Sequence, residues 1–184
     1  MEALIVIVVL VVFIGIWFAI SYNGFVALKN RVEESFATMD VFLKKRYDLI
    51  PNIVETVKGY ASHEKETLTR VIEARNMASG ATNINDKQRI EGDFANTLKS
   101  LFAVVESYPN LKADTQFLNL QAQLSDIEAE IANARKYYNA VVKTFNTMCQ
   151  SFPSNLIAGM FKFEQQPYFE IETETERQAV KVQF

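Results

Sequence analysis

The feature that most constrains this chain is its beginning: from Ala3 to Ile20 it reads ALIVIVVLVVFIGIWFAI, and no Asp, Glu, Lys or Arg occurs between Glu2 and Lys29. Eighteen residues at a helical rise of about 1.5 Å cover about 27 Å, close to the hydrocarbon core of a bilayer. Trp17 and Tyr22 fall where interfacial aromatics anchor such helices. Every face of the helix is apolar, which a chain this small hides in a core only with difficulty. Ala19 and Ser21 form a loose small-x-small pair of the kind a signal peptidase cuts, but no basic region precedes the apolar run. The expectation is an uncleaved, single-pass transmembrane anchor over residues 1–22. Lys29, Arg31, Lys44, Lys45 and Arg46 follow the span, and Glu33 and Glu34 count for little in the positive-inside rule. The N-terminus is therefore expected outside and the domain in the cytoplasm.

The rest of the chain is long enough for one domain with a modest core. A net charge of -3 and a pI near 5.3 leave no basic field for nucleic acid. Few glycines and prolines, 6 and 4, favour long helices over a many-turned β architecture. Cys149 is the single cysteine, so it forms no internal disulfide and reads as a small buried hydrophobe.

Apolar residues then recur at spacings of mostly three or four: Phe25, Leu28, Val32, Phe36, Met39, Leu43, Tyr47, Ile50, Val54, Val57, Ala61, Leu68, Val71 and Ile72. The stripe runs for roughly seven heptads, which suggests coiled-coil-like packing. It predicts one helix continuing from the anchor through Val57 toward Arg75, kinked or briefly broken at Pro51. Gly80, Ala81, Thr82 and Asn83 mark a turn. Asn85 or Asp86 is the expected cap of a second helix, with Ile90, Phe94, Leu98, Leu101, Phe102 and Val105 on one face and Pro109 as its stop. Asp114 or Thr115 caps a third, carrying Phe117, Leu120, Leu124, Ile127, Ile131, Ala134, Tyr138, Val141, Phe145 and Met148 and ended by Pro153. The predicted fold is all-α: an N-terminal transmembrane helix continuous with a long-helix antiparallel up-down bundle over residues 23–163. A polar tail over 164–184, extended or disordered in isolation, completes the chain.

The segments RYDLIPNIVETVKGYASHE (46–64), EARN (73–76), YPNLKADTQFLNLQAQL (108–124) and RKYYNAVVKTFN with FP (135–153) resemble the LemA family. The likeness begins at Tyr22 and Asn23 and runs through PYFE (167–170) to the closing KVQF. It implies a bacterial membrane protein with an N-terminal span and an antiparallel helical bundle. It implies no activity, and no catalytic residue is carried over.

Polar residues in and beside these motifs are the candidates for chemistry. Asp48, Asn52, Glu55, Gly59 and Glu66 fall at helical spacing on the first helix, and Arg135 and Asn139 one turn apart on the third. They read as a register-fixing set of hydrogen bonds and ion pairs rather than as a polar site between helices, and Gly59 as a point of close helix approach or one that tolerates the strain of a kinked segment. His63 is the only histidine, so neither a zinc site nor a His-based dyad has its partners, and HE at 63–64 lacks the second histidine of a metalloprotease. Glu33 with Glu34, and Glu128 with Glu130, lack the histidines of a di-iron bundle. No catalytic, cofactor-binding or metal residue, no cofactor and no small-molecule substrate is expected.

Two binding roles remain. The first is a scaffold that homo-oligomerises through surplus length of the long stripe and organises or shapes the envelope. The second is an adaptor presenting the bundle or the FEIETETE tail to a membrane protease or signalling protein. The apolar piece Leu156 to Phe163, with Lys162 as its only cation, is a further expected contact with the bilayer surface.

Overall fold

The computed structural model describes residues 1–170, and every regular element among them is helical. The expected all-α architecture holds. The elements are α1 (Glu2–Tyr60), α2 (Lys65–Gly80), α3 (Ile84–Glu106), α4 (Pro109–Lys112), α5 (Thr115–Gln150) and α6 (Ser154–Phe161). Residues 163–170 follow without regular secondary structure. The part of the expected tail from 171 to 184 lies outside the described residues.

Two compact units emerge. The first comprises Met1–Thr38 and Ala134–Tyr168. Here α1 and α5 run antiparallel, with Phe25 meeting Phe145 and Phe36 meeting Tyr138 at ring separations of 6.0 and 5.9 Å. The two helices come close at Gly24, where an added Cβ would meet the Met148 side chain at 3.2 Å. A left-handed residue, Lys162 (φ 57°), ends α6, and the Phe163 amide donates back to the Ala158 carbonyl at 2.9 Å. That turn brings Phe163 flat onto Phe25, with centroids 4.7 Å apart and planes 8° from parallel. Beyond it, Asn146 grips the passing backbone twice. Its Oδ1 accepts from the Gln166 amide at 2.8 Å, and its Nδ2 donates to the Gln166 carbonyl at 2.9 Å. Tyr138 donates its hydroxyl to the Pro167 carbonyl at 2.9 Å. The first part of the expected tail is thus fastened to α5.

The second unit holds Met39–Asn133 with Phe169 and Glu170. Contacts give its direction. Asp40 meets Lys87 and Tyr47 meets Phe94, so α3 runs parallel to α1. Arg46 meets Glu128 and Tyr60 meets Asp114, so α5 runs antiparallel to it. Arg75 on α2 reaches back to Tyr47, so α2 also runs antiparallel to α1. The unit is an up-down bundle.

Three local readings are corrected. The first helix does not run on toward Arg75; the chain turns at residues 61–64 and α2 is a separate helix. The signal was weak, because Glu64 at the N-cap makes no side-chain capping bond and the apolar spacing resumes across the turn. Pro51, by contrast, does not break α1. A proline lacks the N–H that would bond the carbonyl four residues earlier, here that of Tyr47. Arg75 fills the gap: its Nε donates to that carbonyl at 3.0 Å, and its Nη2 lies 3.4 Å from Asp48 Oδ1. Finally, α3 is capped by Asn83, whose side chain accepts from the Asp86 amide at 2.9 Å, rather than by Asn85 or Asp86. Asp114 caps α5 as expected, accepting from the Phe117 amide at 2.8 Å.

Burial divides α1 sharply. The most apolar 18-residue stretch of α1 has a mean hydropathy of 3.3 and is 0% buried, whereas Phe25, Met39, Leu43, Ile50 and Val57 are fully enclosed. A core helix shows the opposite pattern, so that reading fails here. This helix is long and apolar enough to cross a membrane.

Candidate functional site

The most unusual chemistry lies inside the second unit. Arg46, on α1, is almost fully buried between α3 and α5. Its Nη2 donates to Glu91 Oε2, and its Nη1 to Glu128 Oε1 and Oε2 at 3.0 and 3.3 Å. The guanidinium lies over the Phe94 ring, 4.9 Å from its centroid. Its Nε is buried without a hydrogen-bond partner. The other oxygen of Glu91 accepts from the Tyr47 hydroxyl. One turn before Glu91 on α3, Lys87 is also buried and pairs with Asp40.

Burial alone would lower the Arg46 pKa, but the facing carboxylates of Glu91 and Glu128 hold it above its ordinary value. Burial raises the Tyr47 pKa far above the usual tyrosine range, and the Glu91 charge adds to it. Arg46 thus stays cationic and Tyr47 neutral at physiological pH. Neither is poised to exchange a proton, so the cluster is built for cohesion rather than acid–base work. A buried pair of this kind gains from Coulomb attraction and loses to desolvation, and its best-attested use is to fix how helices register.

Apart from Glu128, the polar positions singled out in the sequence lie elsewhere. Asn52, Glu55, Gly59 and Glu66 are exposed; Glu55 pairs with Lys58 and Glu66 with Arg70 along their own helices. Asp48 is exposed but accepts from Arg75, and a Cβ added at Gly59 would meet nothing within 4 Å beyond its own helix, so no other helix approaches closely there. Arg135 and Asn139 are half-buried on α5, and Glu33, Glu34 and Glu130 face solvent. His63 is exposed in the α1–α2 turn. Cys149 is half-buried with Sγ 3.7 Å from the Phe163 carbonyl, and burial raises its thiol pKa. Among the described residues no group of three or more His, Cys, Asp or Glu side chains is placed to hold a metal. Sequence reasoning missed Lys87 and Glu91. Their signal was position: both occupy the apolar face of α3, spaced with Phe94.

Comparison with known proteins decides the family. The LemA family's sequence model matches residues 35–184. The chain belongs to the LemA family. Relatives include the magnetosome protein MamQ 2 of Paramagnetospirillum magneticum, 27% identical over 81% of this chain and 64% of its own length. MamQ of Magnetospirillum gryphiswaldense is 24% identical over 80% of this chain and 64% of its own. Protein LemA of Metamycoplasma hominis is 24% identical over 71% and 60%. The chain thus spans under two thirds of the length of the relatives it matches. The structure gives the motifs shared purposes: Tyr47 and Pro51 in the first and Arg75 in EARN meet at one backbone carbonyl. The unburied apolar helix and these relatives mark this LemA-family chain as membrane-associated.

Proposed function

We propose that this chain is a non-enzymatic, membrane-anchored scaffold that self-associates and organises or shapes the bacterial cell envelope. The observation that carries the reading is the change in burial along α1: residues 3–16 are exposed on every face, and from Phe25 one face of the same helix is enclosed. The anchor and the start of the bundle therefore share one helix without a joint. Surplus apolar surface does not lie along the long stripe beyond the anchor, as expected from sequence, because α1 buries that stripe within the chain. The surface left for neighbouring copies is in the span itself. The MamQ relatives are named for a structure, the magnetosome, rather than for a reaction, which supports a non-enzymatic role.

The domain is placed in the cytoplasm on its flanking charges. Arg46 leaves that count because Glu91 and Glu128 neutralise it, but exposed Lys29 and Arg31 remain within reach of the rule. Crosslinking in native membranes followed by detergent sizing is expected to show discrete multimers. A strictly monomeric species at native density refutes the scaffold.

An adaptor role for the tail is the second reading, and the double grip of Asn146 on Gln166 favours it by fixing where the tail departs. Truncation after Glu170, which spares that grip and buried Phe169, separates the two readings. Loss of co-purifying partners with self-association intact supports the adaptor; unchanged partners refute it.

A further inference from the structure

We propose that α6 and Phe152 form a second membrane contact, an apolar foot set into the lipid interface beside the span. The inference rests on α1 crossing the bilayer, and the test below separates the two.

The level of the foot is fixed by rings within the first unit. Phe161, at the end of α6, meets Phe18 at 5.8 Å and Tyr22 at 4.7 Å between centroids. Phe18 lies inside the uncharged run and Tyr22 just beyond its most apolar part. At about 1.5 Å per residue, these positions are roughly 24 and 30 Å along the helix from Glu2, the edge of a core about 30 Å thick. A side chain touching both is at the boundary between hydrocarbon and headgroups.

The chemistry of the foot matches that level. Ile157 and Ala158 turn α6 toward the protein, while Phe152, Leu156 and Met160, spaced four apart, stand 80, 58 and 67% exposed. Phe161 is 43% exposed beside them. No charged residue occurs from Ser151 to Phe161, and Lys162 is the one cation at the end of α6. Continuity with the span and the lack of charge favour a lipid surface over a second copy of the chain or a polar partner. Attraction to the bilayer is then apolar, independent of anionic lipid and insensitive to salt. Two points of attachment would also stop the first unit from rotating about its anchor.

The test uses the full chain with its native tryptophan removed (Trp17→Phe) and one tryptophan placed at a time: F152W, M160W, F13W in the span and Y137W on α5. Tyr137 is an exposed control, and its neighbour Tyr138 packs on Phe36, well past the span. Each variant goes into phosphatidylcholine vesicles without bromines or with bromines near the headgroup end of the acyl chains, and F13W, which falls near the midplane, also into vesicles with bromines near the methyl end. The expected result is at least twofold quenching of F152W and M160W, unchanged in 0.5 M salt, with F13W quenched and Y137W unaffected. Quenched F13W with unquenched F152W and M160W overturns the foot and leaves the anchor standing; blue-shifted but unquenched emission assigns the patch to protein instead. Unquenched F13W overturns anchor and foot together.

Discussion

The two units of this chain are held together by opposite kinds of force. In the first, Phe25, Phe145 and Phe163 form an aromatic cluster, and the polar bonds run mainly from side chains to backbone at its margin. In the second, a guanidinium, a phenol and two carboxylates are drawn into the packing, with a lysine buried one turn away on α3. Aromatic packing is weakly directional and tolerates change in proportion to volume lost. A buried charge network is directional, and removing one member leaves another desolvated and unpaired. The difference teaches that the second unit obtains its register from charge, whereas the first obtains cohesion from shape.

The largest expected effect breaks the charged side of this contrast. Glu91→Leu strands the Tyr47 hydroxyl and Arg46 Nη2, leaving half-exposed Glu128 as the one carboxylate on Arg46, and is expected to cost about 3–5 kcal/mol. The triple variant Arg46→Met, Tyr47→Phe, Glu91→Leu removes the whole set and is expected to recover most of the loss, because Glu128 is half-exposed and can turn to water. Thermal unfolding of the full chain in mild detergent, followed by circular dichroism, measures both. A triple variant no more stable than the single one would show that the network itself supplies the stability.

Next is the aromatic side. Phe145→Ala is expected to cost about 3–4 kcal/mol and Phe145→Leu under about 1.5. Here no second substitution at Phe25 should rescue the first; it should only deepen the loss. Rescue in this unit would erase the distinction.

Most of the fold was legible in the sequence because long helices announce themselves by periodicity. The unburied apolar start of α1, the end of α3 before Pro109 and the Asp114 cap of α5 could all be read from residue type and spacing. The turn at 61–64 could not, since no capping side chain marked it and the stripe resumed in phase. The charged cluster was hidden for a different reason. Arg46 reads as one of three basic residues in a row and Glu91 carries no signal of its own, since a local pattern does not tell a buried charge from an exposed one when its partners lie 45 and 82 residues away. The motif polar residues drew attention first, yet Asp48 matters through its contact with Arg75.

A smaller effect tests how that Arg75 contact works. Arg75→Met removes the donor to the Tyr47 carbonyl and is expected to cost about 1–2 kcal/mol. Pro51→Ala restores a backbone N–H for the same carbonyl, so in that background Arg75→Met should cost less than half as much. Equal costs in the two backgrounds would mean that Arg75 acts through Asp48 alone.

The smallest effect sharpens the contrast at the polar margin of the aromatic unit. Tyr138 donates to the Pro167 carbonyl, and burial pushes its pKa from 10.0 up to about 12. A tyrosine whose pKa is raised on folding adds stability that is intact below its unfolded pKa. That stability is lost as pH climbs from about 10 toward about 12, because only the unfolded chain ionises there. Tyr138→Phe is expected to cost about 1 kcal/mol at neutral pH through the lost hydrogen bond. Between pH 10 and 12 the gap between wild type and variant should narrow, since the variant has no phenol at this site to ionise. Tyr47 is present in both proteins, so its own alkaline loss cancels in the difference. A gap that stays constant through pH 11 would show that the hydroxyl of Tyr138 meets the same surroundings folded and unfolded, and that the 163–168 segment is not fastened through it.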